Sequence, residues 1–155
     1  MGIVKDALDN SGLAPSQLSL EVTESTLADL SESTQTLLTD LRALGVTVAL
    51  DDFGTGYSSM SYLATLPVDI LKIDRSFVTV LGSSTPGFTL ARLVVQLAEP
   101  LGLSTVAEGI ETVEQADLLR GMGCEFGQGY LFARPMPFDD YVAALQGPLS
   151  TTSSV

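Results

Sequence analysis

Short apolar runs alternate with longer amphipathic stretches along the whole chain. The runs of strand length lie at residues 18–22, 46–50, 68–73, 103–107 and 124–130. The stretches with apolar residues at helical spacing lie at residues 31–44, 59–65, 88–100, 112–121 and 138–146. A strand followed by a helix, repeated five times, predicts an α/β protein in which helices cover a parallel sheet.

Two architectures satisfy this order. One is a doubly wound open sheet, and the other is part of a (β/α)₈ barrel. Five units are too few to close a barrel, which takes about 250 residues. In either case the helix over residues 88–100 is expected to turn Leu90, Leu93, Val94 and Leu97 toward the sheet.

Polar residues stand at or near the carboxyl end of every predicted strand. In chain order they are Glu21, Asp51 with Asp52, Lys72 with Asp74, Glu108, and Gln128. The carboxyl ends of parallel strands meet at one face of the sheet, where α/β proteins build their sites. The pattern therefore indicates a functional site at that face.

Each of these residues also has a plainer interpretation when it is taken alone. Asp51 and Asp52 repel each other unless a cation lies between them, but either could cap the loop that follows. Lys72 lies within an apolar strand and needs a carboxylate or phosphate partner, which a structural ion pair would supply. Glu21 could simply face solvent. Glu108 could cap a helix, and Gln128 could belong to a turn.

The charge balance narrows the choice of ligands. The 155 residues include 19 acidic and 7 basic side chains, so the formal net charge is -12 and no basic surface for DNA or RNA is expected. Histidine is absent, so a metal would be a hard cation bound by oxygen, such as Mg²⁺, Mn²⁺ or Ca²⁺.

The compartment is expected to be the cytoplasm. Cys124 is the single cysteine, which excludes an intrachain disulfide. No apolar run reaches the roughly 18 residues of a membrane span, although a longer parent protein could be tethered to a membrane.

Several longer motifs resemble those of one bacterial family. They are Glu21-Val-Thr-Glu-Ser25, Asp51-Asp-Phe-Gly-Thr-Gly-Tyr-Ser-Ser59, Leu71-Lys-Ile-Asp74, Val106-Ala-Glu-Gly-Ile-Glu111, and Gln128-Gly-Tyr130 followed by Pro135 and Pro137. Their order and spacing resemble the EAL family of cyclic-di-GMP phosphodiesterases from about residue 3 to residue 146. The resemblance implies that residues 1–147 form roughly five of the eight units of a TIM-like (β/α)₈ barrel. Residues 148–155 are expected to be a disordered tail.

The resemblance also implies a chemistry. It predicts a two-metal site with Mg²⁺ or Mn²⁺ that opens cyclic-di-GMP to linear pGpG. The residues that match metal ligands are Glu21, Asp51, Asp52 and Glu108, with Asp51 as the bridging ligand and Glu108 holding a metal or its water. Lys72 matches the lysine near the attacking water and the scissile phosphate.

Further residues match supporting positions. Glu24 resembles the residue that anchors the loop Asp52–Ser59, which in the family links the site to dimerisation. Gln128 matches the amide at the last strand. Asp74 and Glu111 are expected to contact the metal-ligand residues without binding the metal themselves.

The Glu-Ala-Leu triplet that names the family does not occur in this chain. In the family that Glu and an Asn ligand lie on earlier strands, which would precede residue 1, so the isolated chain is expected to be weakly active or inactive. Three hypotheses follow: a portion of a phosphodiesterase, a non-catalytic module that binds cyclic-di-GMP or a protein partner, and a homodimer joined through open sheet edges.

Overall fold

One parallel sheet organises the chain. The computed structural model describes residues 1–24, 26, 31–54, 63–82 and 86–146. Among these residues the sheet has five strands: β1 (Ser19–Thr23), β2 (Thr47–Phe53), β3 (Ile70–Ile73), β4 (Ser104–Ala107) and β5 (Phe126–Gly127). Each strand pairs in parallel with the next strand along the chain. A doubly wound sheet reverses its order at a switch point, whereas a barrel does not, so the sheet is a segment of a barrel-like α/β fold.

Helices connect and flank the strands. In the described residues they are α1 (Gly2–Ser11), a 3₁₀ helix (Pro15–Gln17), α2 (Glu32–Ala43), α3 (Arg75–Thr79), α4 (Pro86–Leu101), α5 (Val113–Met122) and α6 (Phe138–Gln146). The alternation of strands and helices predicted from the sequence is confirmed, and α6 has the predicted bounds. The sequence did not predict α1, the 3₁₀ helix or α3. The helix predicted over residues 59–65 lies largely, and the tail over residues 148–155 entirely, outside the described residues.

Side-chain caps fix where several helices begin. Ser31 accepts a hydrogen bond from the Thr34 amide at the start of α2. At the start of α5, Thr112 accepts from the Gln115 amide while the Gln115 side chain accepts from the Thr112 amide. Each cap satisfies amide groups that the first turn of a helix leaves without partners.

The face of α4 that packs on the sheet agrees with the prediction only in part. Val94 is buried and Leu97 packs against the core, as predicted, but Leu90 and Leu93 are 40% and 42% exposed. The other buried residues of this helix are Ala91, Val95 and Ala98. These smaller side chains recur at helical spacing and let the helix backbone approach the sheet closely, so Leu90 and Leu93 remain on the outer flank.

The largest buried side chains lie where the strands meet the helices. Leu50, Leu71 and Ile73 from the strands are at most 1% exposed, as is Leu119 from α5. This core holds the strand ends in fixed positions. None of the helices that the structure describes has the length and apolarity needed to cross a bilayer.

Candidate functional site

A buried lysine lies at the centre of the strand ends. Among the described side chains, three carboxylates contact Lys72 Nζ: Glu21 Oε2 at 2.7 Å, Asp51 Oδ1 at 3.1 Å and Glu108 Oε1 at 2.5 Å. The residues come from β1, β2, β3 and the end of β4, so four neighbouring strands each supply one member. We call this group the Lys72 cluster. It brings together residues that lie up to 87 positions apart (Glu21 and Glu108).

The electrostatics of the Lys72 cluster favour a charged lysine. The Lys72 side chain is 6% exposed, and burial by itself disfavours the ammonium form. Hydrogen bonds with Glu108, Glu21 and Asp51 outweigh this burial, so the pKa of Lys72 lies above its usual value. The lysine is therefore a permanent cation at physiological pH.

A β-bulge in β2 contains Asp51 and Asp52 and gives their side chains different environments. Asp52 has a φ of 57°, the left-handed conformation that non-glycine residues seldom adopt. The pairing of β2 with β3 shifts between Leu50 and Phe53, so β2 has one extra residue there. Asp51 reaches Lys72, while the Asp52 carboxylate is exposed.

The environment of Asp52 is strongly acidic. Partial desolvation by the surrounding chain, and then the charges of Asp51 and Asp74, raise the pKa of the exposed Asp52 carboxyl group and outweigh the opposing charge of Lys72. A carboxylate in such a field is stabilised by any cation that approaches it. A nearby cation would therefore favour the charged form of Asp52.

Glu24 lies at the end of β1 and connects it with the end of β2. Its side chain is buried, and its Oε2 atom accepts a hydrogen bond from the Gly54 amide at 3.1 Å. Gly54 belongs to the loop whose anchor the sequence resemblance placed at Glu24. Residues 55–59 of that loop lie outside the described residues.

Glu108 has a second partner from the next strand end. Gln128 Nε2 donates to Glu108 Oε1 at 2.9 Å. The backbone of Gln128 is held as well, because its amide donates to Ala107 and its carbonyl accepts from Ile110. The carboxylate of Glu108 is therefore fixed between an ammonium and an amide.

Asp74 and Glu111 lie outside the Lys72 cluster. Asp74 caps α3 by accepting from the Ser76 amide at 2.9 Å. Burial would raise its pKa, but the hydrogen bonds from Ser76 and the Arg75 amide outweigh burial, so the pKa of Asp74 lies below its usual value. Glu111 binds Arg75, with 2.6 Å between Oε1 and Nη2.

Arg75 was not predicted as a site residue. Its aliphatic stem lies directly against Gly109, so closely that a Cβ atom at that glycine would overlap it. Because Gly109 has no side chain, Arg75 can lie against its backbone. The signal available in the sequence was the cation next to Asp74 in the motif Lys72-Ile-Asp-Arg75.

A cavity of about 470 Å³ opens beside Glu108 and Gln128. Residues of several chemical classes line it, among them Arg75, Glu111, Tyr130, Arg134, Met136 and Tyr141. The Arg134 guanidinium lies 4.5 Å from the centre of the Tyr130 ring, which is a cation–π contact. The cavity combines cations and aromatic rings next to the acidic cluster.

The donor set suits a hard divalent cation. Carboxylate oxygens are the ligands that Mg²⁺, Mn²⁺ and Ca²⁺ prefer, and the Lys72 cluster already surrounds one positive charge with them. The carboxylates face the ammonium, however, and no group of three or more Asp, Glu, Cys or His side chains in the described part of the chain has the arrangement of a metal site. The residues fit a metal by the chemistry of their oxygens, while in this structure Glu21, Asp51 and Glu108 are turned to Lys72.

Comparison with known proteins gives a consistent result. The family model described as EAL domain matches residues 1–135. The chain is 48% identical over 134 residues to the cyclic di-GMP phosphodiesterase NbdA of Pseudomonas aeruginosa, covering 86% of this chain and 17% of NbdA. It is 45% identical over 132 residues to the probable cyclic di-GMP phosphodiesterase PdeN of Escherichia coli, covering 85% of this chain and 25% of PdeN. The chain thus spans a quarter or less of the length of these two relatives.

Solved structures share the fold. The PaMucR phosphodiesterase in complex with c-di-GMP has a TM-score of 0.84 and 43% identity, over 89% of this chain and 56% of that one. The manganese and cyclic-di-GMP complex of Klebsiella pneumoniae BlrP1 at pH 9.0 has a TM-score of 0.79 and 37% identity, over 86% of this chain and 34% of that one.

Proposed function

The chain belongs to the EAL domain family, and from this premise we propose that its site takes part in the metal-dependent hydrolysis of cyclic-di-GMP to linear pGpG. The observation that carries the proposal is the Lys72 cluster, in which four neighbouring strand ends bring three carboxylates to one buried ammonium. Structures of similar proteins with c-di-GMP bound support the choice of ligand.

Carboxylates of the strand ends would hold the metal. The proposed ligands are Glu21, Asp51, Asp52 and Glu108, and the proposed ions are Mg²⁺ or Mn²⁺. A divalent ion bound there would lower the pKa of a water molecule and neutralise phosphodiester charge. The acidic surroundings that raise the pKa of Asp52 favour such an ion, and the manganese complex of BlrP1 supports the choice.

Lys72 is proposed to act as a cation rather than as a base. Its pKa lies above the usual value, so it has no accessible neutral form with which to remove a proton from water. Its ammonium can donate hydrogen bonds to a phosphoryl oxygen and stabilise the negative charge that develops there. In the structure Glu21, Asp51 and Glu108 each contact this ammonium and so take up its three N–H donors. A carboxylate that turned to a bound metal ion would free one donor for the phosphoryl oxygen.

The cavity beside Glu108 supports a nucleotide substrate. Arg134 offers positive charge to a phosphodiester in a chain whose net charge is strongly negative, while Arg75 in the same lining is paired with Glu111. Tyr130 and Tyr141 offer aromatic faces to a planar base. Glu111 and Gln128, which also line the cavity, are proposed to contact the substrate or to support the groups that do.

The alternative is a module that binds cyclic-di-GMP, or a protein partner, without hydrolysing it. The observation that favours this alternative is that the carboxylates of the Lys72 cluster face the ammonium and leave no ready metal-holding group in the described ranges. The two functions share the ligand and differ in turnover.

Product analysis separates the two functions. The chain is incubated with cyclic-di-GMP and Mn²⁺, and the products are resolved by HPLC. Slow formation of pGpG that EDTA and Asp51→Ala both abolish is the expected result. Asp117→Ala, which removes an exposed carboxylate of α5, is the matched control and should leave the rate unchanged.

The absence of pGpG from a folded chain that still binds cyclic-di-GMP would favour the binding module. If the chain neither binds nor hydrolyses the nucleotide, the proposal fails.

We also place the protein in the cytoplasm. Cys124 is buried, and its thiol donates to the Phe126 carbonyl at 3.3 Å. Burial raises the pKa of this thiol, which makes it a poor nucleophile and keeps it reduced. A buried, reduced thiol is compatible with the reducing cytoplasm that we propose.

A further inference from the structure

Two ion pairs join the β3–α3 segment to the β4–α5 loop in matching register. Lys72 binds Glu108, with 2.5 Å between Nζ and Oε1. Three residues further along both segments, Arg75 binds Glu111, with 2.6 Å between Nη2 and Oε1. The first pair is shielded, since Lys72 is 6% and Glu108 20% exposed, whereas in the second pair Arg75 is 60% and Glu111 45% exposed.

Arg75 contacts the loop at two points. Its aliphatic stem lies against the Gly109 backbone at the position that a Cβ atom would occupy. Its guanidinium holds Glu111, two residues further on. Gly109 has a φ of 69°, so the chain turns sharply immediately after Glu108, and Arg75 packs on this turn.

The opposite side of the loop is held by backbone contacts. The Ile110 amide donates to Gln128, and the Ile110 carbonyl accepts from Leu131. Gly129 lies so close to Ile110 that a Cβ atom there would overlap the Ile110 backbone. The loop is thus fixed to β5 on one side, and Arg75 supplies the corresponding contact on the β3 side.

The place of Arg75 in the chain links this contact to the Lys72 cluster. Arg75 is the first residue of α3, and the Asp74 cap fixes the start of that helix only two residues after Lys72. The position of Arg75 is therefore tied to that of Lys72, and the position of Glu111 to that of Glu108.

Resting on the proposed function, we propose that Arg75 is a positioning residue that holds the β4–α5 loop in the register in which Glu108 meets Lys72. The exposed ion pair contributes little to global stability, because solvent screens it. Its effect is on the geometry of the Lys72 cluster, where a displaced Glu108 would leave the ammonium less shielded.

The chain offers a direct reporter of this geometry. Lys5 and Lys72 are its two lysines, so ¹⁵N-lysine labelling gives two ammonium signals, with the one from Lys5 as the internal reference. The exchange of the Lys72 ammonium hydrogens with water is measured by NMR without metal or nucleotide. The readout is therefore independent of the proposed function, which the HPLC experiment tests separately.

Three variants and one control complete the experiment. Arg75→Ala removes both the aliphatic stem and the charge of the arginine. It should speed the exchange of the Lys72 ammonium hydrogens about fivefold, a change of the size that a modest coupling between contacting residues produces. Arg75→Met keeps an unbranched stem over Gly109, and Glu111→Gln keeps the whole arginine, so both should give smaller increases. Arg120→Met removes a comparable ion pair on α5, 2.6 Å to Asp117, and should leave Lys72 exchange unchanged.

Wild-type exchange in a folded Arg75→Ala chain would overturn the proposal, and so would an equal increase in Arg120→Met. If Arg75→Ala does not fold, Arg75→Met and Glu111→Gln decide the question. Faster Lys72 exchange at an unchanged melting temperature in these two variants supports a positioning role, and unchanged exchange in both rejects it.

Discussion

The Lys72 ammonium lies 2.5 Å from the Glu108 carboxylate, across two adjacent strands of the sheet. Glu21 and Asp51 contact the same ammonium, so this buried cation lies at the centre of an acidic site. Glu108 and Lys72 therefore depend on each other, since each would be poorly solvated without its partner.

Removal of the Lys72 charge should destabilise the fold. Lys72→Met leaves three carboxylates facing one another without their cation. The expected loss in the free energy of unfolding is about 2 kcal/mol, below the range for fully buried pairs because Glu21 is half exposed. Urea denaturation at pH 7 measures the loss. Lys5→Met, on exposed α1, is the control, and equal stability of the two variants would contradict the account.

The left-handed backbone at Asp52 should make glycine the better replacement there. Asp52→Gly and Asp52→Ala both remove the carboxylate, so the difference between them reports the backbone conformation. With a φ of 57° at this position, the glycine variant should be more stable by about 1 kcal/mol. Thermal or urea unfolding of the two variants side by side measures the difference. An alanine variant that is as stable as the glycine variant would show that the bulge relaxes.

Asp69 should contribute more to the stability of the fold than Arg42, the arginine that it binds. Its Oδ1 atom accepts from Arg42, in an exposed pair, while its Oδ2 atom accepts from the Val48 amide at 2.9 Å. Arg42→Met should cost less than about 1 kcal/mol because solvent screens the pair. Asp69→Ala should cost about 1–3 kcal/mol, because the backbone amide of Val48 loses its acceptor. The order of the two urea midpoints is the test, and the reverse order would contradict this assignment.

The cap at Asp74 should make stability depend on acid pH. The pKa of Asp74 is lowered in the folded chain, so its charge stabilises the fold above the ordinary Asp value of about 3.9. This contribution is lost as the pH falls through the lowered pKa.

Asp74→Asn keeps an oxygen that can accept from Ser76 but does not titrate. The wild-type chain should therefore exceed the variant in unfolding free energy at pH 6, and the difference should shrink at pH 3. A difference that stays constant between these two pH values would show that the charge of Asp74 does not contribute.

Periodicity predicted the fold well where an element packs on the core by one face. The bounds of α6 and the existence of all five described strands followed from apolar spacing alone. The short helix α3 was missed, because five residues with one cap carry too little periodic signal. For α4, periodicity located the helix and two residues of its inner face, Val94 and Leu97, but misplaced Leu90 and Leu93. Large leucines matched the expected stripe, while the close approach of helix and sheet selected Ala91 and Ala98.

The strand-end pattern predicted which residues meet but not how they are paired. Glu21, Asp51 and Glu108 could be placed at one face from the sequence. Their convergence on Lys72 depends on strand register and side-chain direction, which a single sequence does not give. Arg75 was missed for a related reason, since its role arises from contact with a glycine 34 residues away (Gly109).

A binding titration tests the central claim most directly. Cyclic-di-GMP is titrated into the chain by calorimetry with Mn²⁺ and again with EDTA, and both titrations are repeated with Asp51→Ala. The account predicts binding by the wild-type chain that requires Mn²⁺ and is lost in Asp51→Ala. Equal binding in EDTA, or undiminished binding by the folded variant, would contradict a metal-dependent site at these strand ends.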